Sequence, residues 1–175
     1  SFVPIGEEDG PFERLGYQAA YDRLIVHDAE RNRAAYALHM AHERNQVLFI
    51  VKRIEHGQIL SDLLDIPFVS GRGSDDDRAS IYNDFRSGEL RHLIASTIYD
   101  EGVDFPALDV VVNLAGGNTL VALFQRLGRP MHREDTSRPV RYYDFLDLGN
   151  RHLRRHAERR RWELRQAGFD VKEGV

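Results

Sequence analysis

Short, nearly continuous apolar runs alternate with longer segments of mixed polarity along most of the chain. The runs are DRLIVHD, QVLFIV, IPFVSG, RHLIAST, LDVVVNLAG and RYYDFLDL. Several are apolar at almost every position instead of every second one, which is typical of parallel strands buried on both faces. The segments between them predict crossover helices over residues 29–44, 55–64, 75–87 and 119–126. The pattern therefore predicts a single α/β domain in which helices cover both faces of a parallel sheet of about six strands.

The two ends of the chain depart from this alternation. Residues 1–20 begin with SFVPIGEEDG and are rich in Gly, Pro and acidic residues, so they predict a linker ahead of a domain at residues 21–172. Since the first residue is Ser, we expect the chain to be part of a longer protein. Residues 149–166 predict a helix with seven arginines, whose apolar stripe should lie on the sheet with the arginines outward. The stripe consists of Leu153, Ala157 and Leu164.

Composition narrows the class of protein. The chain has 175 residues, of which 42% are hydrophobic, and this is enough for one ordinary core. It has no cysteine, so disulfides and thiolate metal sites are excluded. It also lacks a secretory signal and an apolar run of membrane length. We therefore expect an intracellular, soluble protein of the cytoplasm, nucleoid or nucleus that has no membrane partner.

Polar and basic residues follow four of the apolar runs. In parallel sheets, ligands bind at the carboxyl ends of the strands, where loops lead into helices. The candidate segments are Lys52 with Arg53, residues 70–73, residues 96–104 and residues 115–118. Ordinary loop polarity is the alternative explanation. The sequence has no G-x-x-x-x-G-K-[ST] motif to hold the β- and γ-phosphates, so we do not expect this chain to hydrolyse a nucleoside triphosphate by itself.

A pair of arginines surrounds a glycine in the stretch FQRLGR, residues 124–129. Arginine carries a permanent charge on a planar fork that matches phosphate oxygens. Such a group aimed at a nucleotide γ-phosphate can stabilise the charge that develops in phosphoryl transfer. Two arginines at this spacing also fit an exposed face or an ion-pair site, so the stretch alone leaves both interpretations open.

Several segments, taken together and in order, resemble superfamily 2 helicases and translocases. IASTIYDEGVDFPALDVVVNL and the later ALFQRLGRPMHRE resemble motifs V and VI, and VLFIVKRIEHGQIL resembles motif IV. The final RYYDFLDLGNRHLRRHAERRRWELRQAGFDV is similar to the closing segment of the branch that contains XPB. The resemblance implies the second RecA-like lobe of a two-lobed motor. The P-loop and the acidic Mg²⁺ motif would then belong to an N-terminal RecA-like lobe of the same protein.

The resemblance assigns roles in the ATP cleft by position. Gly102 and Asp104 match motif V residues that approach the nucleotide sugar and the cleft between the lobes. Gln125, Arg126 and Arg129 match motif VI, and Arg129 is expected to be the principal phosphate contact, with Arg126 as the second catalytic arginine. An arginine supplied across a cleft makes ATP hydrolysis depend on lobe closure.

Motif VI departs from the family at its last arginine. His132 occupies that position and Arg133 follows it. Either Arg129 carries the function alone, Arg133 substitutes through a shifted turn, or catalysis is weak. Pro130 fixes a backbone angle here and makes a shift plausible.

The resemblance also implies nucleic-acid contacts. Ser96 matches a Thr or Ser that contacts a phosphate, and Thr97 is its neighbour. Lys52, Arg53 and Arg72 occur where loops of the second lobe touch the backbone of the tracked strand. Solvated loop charge is the alternative for these three. The net charge of −4 does not exclude a polyanion, because residues 151–175 carry a balance of +4.

The sequence therefore predicts the second motor lobe of an ATP-dependent DNA helicase, with RNA as a possible substrate and ATP–Mg²⁺ held mainly by the first lobe. We expect the isolated chain to be inactive because it lacks the P-loop. A non-catalytic binding module derived from a helicase lobe, or another nucleotide-binding α/β protein, are the alternatives. No metal site is expected, because the histidine pairs at 39 and 42 and at 152 and 156 lack a third ligand at suitable spacing.

Overall fold

The centre of the molecule is a parallel β-sheet. The structure is a computed structural model that describes residues 1–72, 74–96, 108–117 and 140–174. Within these residues the strands are β1 Phe2–Ile5, β2 Val47–Val51, β3 Phe68–Val69, β4 His92–Ser96, β5 Val110–Asn113 and β6 Arg141–Asp147. They form one six-stranded sheet in the order β1-β6-β5-β2-β4-β3, and every pairing is parallel. The predicted fold class is confirmed.

The helices begin and end at recognisable signals. They are α1 Tyr17–Tyr21, α2 Ala29–Ala41, α3 Ile54–Leu64, α4 Asp75–Ser87 and α5 Arg151–Gln166, with a π-helical turn at Asp22–Val26. The Ser74 side chain caps α4 by accepting from the Asp77 amide, and Gly88 ends it with a φ of 84°. Four predicted helices are confirmed; the one predicted over residues 119–126 lies outside the described residues. In the described part of the chain, no helix is long and apolar enough to cross a membrane.

Successive residues of a strand point to opposite faces of the sheet. Both faces of this sheet are buried. All residues of β2, β4 and β5 are buried. On one face, Leu48 packs in a cluster with Phe85 of α4 and Leu164 of α5. On the other face, Phe49 packs with Leu38 of α2 and Leu60 of α3. The helices therefore cover both faces, as the continuous apolar runs predicted.

The amino-terminal part of the chain differs from the sequence prediction. The run DRLIVHD forms the π-helical turn instead of a strand, and its Ile25 and Val26 pack with Leu153 of α5. A short apolar run cannot be distinguished from a buried helical turn by its pattern alone. The missing strand comes from the segment predicted to be a linker, because Phe2–Ile5 pair with β6 and bury Phe2 and Ile5.

Candidate nucleic-acid interface and ATP-cleft edge

Three of the predicted nucleic-acid residues lie at or directly after the carboxyl ends of neighbouring strands. Ser96 is the last residue of β4 and lies opposite Val51, the last residue of β2. Lys52 and Arg53 come directly after Val51, so the register brings them to the same edge as Ser96. Ser96 is buried, whereas Lys52 and Arg53 are exposed. We call this the carboxyl edge of the sheet.

Arg72 follows β3, the strand at one side of the sheet. Val69 of β3 pairs with Ala95 of β4, so Arg72 also follows a carboxyl end. Its side chain is exposed, and its amide donates to the Ser70 hydroxyl at 3.4 Å. The sequence therefore identified correctly which edge carries these basic residues.

The remaining predicted site residues lie outside the described residues. They are Thr97, Gly102, Asp104, Gln125, Arg126 and Arg129. Their roles stay predictions from the resemblance. The described chain fixes where the two segments that contain them begin: one follows Ser96 at the end of β4, and the other follows Gly117, four residues after β5. Both segments therefore leave the sheet at its carboxyl edge.

Tyr21, at the end of α1, lies beneath the exposed basic pair. The Lys52 Nζ atom is 5.7 Å and the Arg53 Cζ atom 5.6 Å from the centroid of the Tyr21 ring, which are cation–π distances. The Arg53 guanidinium also donates to the Gln18 side chain at 3.0 Å. The buried Tyr21 ring therefore contacts both cations on their inner side, and both residues remain exposed.

The hydroxyl of Tyr21 points the other way, into the loop after β5. It donates to the carbonyl oxygen of Ala115. Burial raises the pKa of Tyr21, so the phenol keeps the proton that it donates. Gly116 has a φ of +56°, and a Cβ there would lie 3.2 Å from Cδ1 of Ile25. The positive φ at this position therefore favours glycine, and a Cβ would in addition press on the end of the Ile25 side chain.

Arg160 of α5 holds the far end of the same loop. Its side chain is 1% exposed, and its Nη1 donates to the carbonyl oxygen of Gly117 at 2.7 Å. Its Nε and Nη2 donate to the two oxygens of Asp144 in β6 at 3.0 and 2.9 Å. This corrects the prediction that the arginines of the closing helix all face outward. Residue 160 lies on the same helical stripe as Leu153, Ala157 and Leu164, and this spacing was the available signal.

Asp144 is the acceptor that makes this burial possible. It also accepts from the Asn113 amide and the Tyr142 hydroxyl, both at 3.1 Å. Burial by itself would lower the pKa of Arg160, but the adjacent Asp144 carboxylate outweighs it and the pKa is raised. Arg160 therefore stays charged, and its hydrogen bonds to Asp144 join α5 to β6, while the Asn113 side chain joins β5 to the same carboxylate.

A second buried arginine was also missed by the sequence analysis. Arg31 of α2 forms an ion pair with Asp147 of β6, and its guanidinium lies 4.6 Å from the centroid of the Phe145 ring. Burial, with a smaller contribution from the positive charge of Arg160, lowers the pKa of Arg31 to about 10. Arg31 still remains charged at neutral pH. Together the two arginines offset the charges of Asp144 and Asp147 at the end of β6.

The histidines make contacts other than the spaced pairs in the sequence. His39 Nδ1 is 2.8 Å from Nδ1 of His92, and His92 Nε2 donates to the His42 carbonyl at 3.0 Å. Burial lowers the pKa of His92 to about 4, so it is neutral at pH 7 and its Nδ1 accepts from His39. His156 packs edge-on against Tyr17.

One group of possible metal ligands occurs in the described part of the chain. Asp22, His27 and Glu55 place their ligand atoms within 4.8 Å of one another, but all three residues are exposed. Exposed acidic groups often come this close without an ion, so the group carries no assignment.

Comparison with known proteins identifies the lobe. Residues 30–134 match the family model of the helicase conserved C-terminal domain. The chain belongs to this helicase family. The helicase lobe is 27% identical over 164 residues to a putative DNA 3'-5' helicase Rad25 of Haloarcula marismortui, covering 78% of this chain and 26% of that protein. It is 26% identical over 162 residues to a DNA 3'-5' helicase XPB of Kineococcus radiotolerans, covering 90% and 29%. The chain thus spans about a quarter of the length of these relatives.

Solved structures agree on the fold. The crystal structure of T4 UvsW matches the helicase lobe with a TM-score of 0.77 at 17% identity, over 98% of this chain and 40% of that chain. The C-terminal domain of the DEAD-box protein Dbp5 matches with a TM-score of 0.67 at 14% identity, over 98% of this chain and 86% of that one. The predictions of a RecA-like fold and of a second lobe from the XPB-like branch are confirmed, and the non-catalytic alternative is not favoured.

Proposed function

We propose that this lobe completes an ATP-driven DNA helicase or translocase, with a P-loop lobe on the other side of a cleft. The observation that carries the proposal is the carboxyl edge of the sheet. It presents Lys52 and Arg53 to solvent above Tyr21, and the motif V and motif VI segments both start from it. The matched relatives that are named DNA 3'-5' helicases support DNA as the substrate.

In this proposal the basic residues bind the nucleic-acid backbone without reading its sequence. The exposed side chains of Lys52, Arg53 and Arg72 supply positive charge for phosphates. This electrostatic contribution to the affinity falls as the salt concentration rises. The buried Ser96 contributes at the base of the same edge, with Thr97 beside it. RNA has the same phosphates, so a competition assay between DNA and RNA decides the preferred substrate.

The ATP side of the proposal depends on the motif residues. Gly102, Asp104 and Gln125 line the nucleotide from this lobe, and Arg126 and Arg129 contact its phosphates. The P-loop lobe holds most of ATP and the Mg²⁺, and the metal would there offset phosphate charge. The sequence of this chain has no P-loop motif, so the isolated lobe is expected not to hydrolyse ATP.

Replacing Arg129 tests the proposal in the protein that contains both lobes. We expect Arg129→Ala to lower kcat for ATP by about 10³-fold or more, because a positioned arginine is worth that much in phosphoryl transfer. Its Kd for DNA should stay within about threefold. Steady-state ATP hydrolysis and fluorescence anisotropy with labelled duplex DNA measure the two quantities.

Two companion variants make the result specific. Arg133→Ala should have a small effect if Arg129 acts alone; a large loss there would transfer the role to Arg133. Arg141→Ala is the matched control, because Arg141 is exposed at the opposite, amino-terminal end of β6. Unchanged turnover in Arg129→Ala would contradict the assigned role.

A further inference from the structure

Tyr21 touches both halves of the proposed site. Its ring faces the Lys52 and Arg53 cations, and its hydroxyl donates to the Ala115 carbonyl in the loop after β5. The side chain is 2% exposed, so water does not replace either contact. The ring also belongs to a buried cluster that contains Ile25 and Leu153. A displacement of the ring is therefore transmitted to the loop and not absorbed by solvent.

The loop that Tyr21 holds leads directly to the motif VI segment. Ala115 is followed by Gly116 and Gly117, which have φ values of +56° and +66°. The Gly117 carbonyl accepts from the buried Arg160 at 2.7 Å. Tyr21 and Arg160 thus fix the two ends of the turn from which the next segment departs. Arg160 is anchored in the core through Asp144, whereas Tyr21 is the anchor that also faces the exposed cations.

We propose that Tyr21 is a positioning residue that couples a nucleic-acid phosphate bound at Lys52 and Arg53 to the turn formed by Ala115, Gly116 and Gly117, which the chain follows with the motif VI sequence. The inference rests on the proposed function. A phosphate draws the two cations toward itself and changes the charge above the ring. The hydroxyl then carries the new ring position to the Ala115 carbonyl, and the stimulation of ATP hydrolysis by DNA depends on this hydrogen bond.

The variant Tyr21→Phe isolates this bond in the two-lobed protein. Phenylalanine keeps the ring, its packing and its cation–π contacts, and it loses only the hydroxyl. We expect the ratio of DNA-stimulated to DNA-independent ATP hydrolysis to fall about tenfold, which corresponds to about 1.4 kcal/mol, the scale of one buried hydrogen bond. The Kd for DNA should stay within about twofold. A purely structural role would lower both ATPase rates together and leave the ratio unchanged.

Tyr36→Phe is the matched control, because Tyr36 of α2 is 45% exposed. The double variant Tyr21→Phe with Arg53→Gln gives a second, independent measurement. If Tyr21 and Arg53 act in the same coupling, the double variant should lose no more DNA stimulation than the single variant that loses more. If instead the fold-losses of the two single variants multiply in the double variant, the coupling is overturned. Thermal unfolding of each variant checks that the fold is retained.

The outcomes separate this inference from the proposed function. If the unmodified two-lobed protein shows no stimulation by DNA, the proposed function fails and the inference fails with it. If stimulation is present and Tyr21→Phe retains the same ratio, only the inference is overturned. A lowered ratio with unchanged DNA affinity supports both.

Discussion

Arg160 shows how one residue can combine a structural and a positional role. Its charge predicts an exposed side chain, but its place on the apolar stripe of α5 puts it in the core. The conflict is resolved by Asp144, which lies on a different element and accepts two hydrogen bonds from it. The position of Arg160 on the apolar stripe could be predicted from the sequence. Its partner Asp144 could not, because their pairing depends on how α5 packs against β6.

We expect Arg160→Met to lower the free energy of unfolding by about 3–5 kcal/mol, because Asp144 is left buried without its cation. Urea denaturation of this chain measures the change. Arg159→Met is the control: Arg159 is exposed and pairs with Glu163 at 2.9 Å, so its loss should cost at most about 1 kcal/mol. Equal effects of the two substitutions would mean that the Arg160–Asp144 pair does not stabilise the fold.

At the scale of elements, the sequence predicted the interior of the sheet better than its edge. The runs that became β2, β4 and β5 are continuous and apolar because both of their faces are covered. The edge strand β1 has only four residues, and the Gly, Pro and acidic residues around it predicted a linker. Its pairing with β6 is a tertiary contact across more than 130 residues, which local pattern does not encode.

The candidate site divides in the same way. The carboxyl edge and its basic residues could be predicted, because strand ends are visible in the sequence. Tyr21 could not, because it only precedes the run DRLIVHD that was predicted to be a strand, and its contacts come from the residues after β2 and from the loop after β5. Residues that act through a neighbouring element carry no local signal.

The role of β1 can be tested by truncating one side chain. Phe2 is 1% exposed, so Phe2→Ala should lower the free energy of unfolding by about 3 kcal/mol, measured by urea denaturation. Val3→Ala is the matched control; Val3 is only partly buried, and about 1 kcal/mol or less is expected. If residues 1–20 acted as a linker, neither substitution would change stability.

For the whole molecule, the two ends of the sheet have different chemistry. The carboxyl edge holds the exposed Lys52 and Arg53, and both motif segments start there. The amino-terminal end also carries exposed arginines, Arg44 and Arg91, but in the described chain Arg91 donates to the Arg44 carbonyl at 3.2 Å and no predicted site residue lies near them. Two basic pairs of equal charge at opposite ends thus give an internal comparison for nucleic-acid binding.

The most direct test is the rate of ATP hydrolysis by the two-lobed protein as a function of DNA concentration. We expect DNA to stimulate hydrolysis. The variant Lys52→Glu with Arg53→Glu should then need at least about tenfold more DNA for half-maximal rate, because two phosphate contacts are lost. The matched variant Arg44→Glu with Arg91→Glu should respond to DNA like the unmodified protein. Hydrolysis that does not respond to DNA, or equal loss of response in both variants, would contradict the proposed role of this lobe.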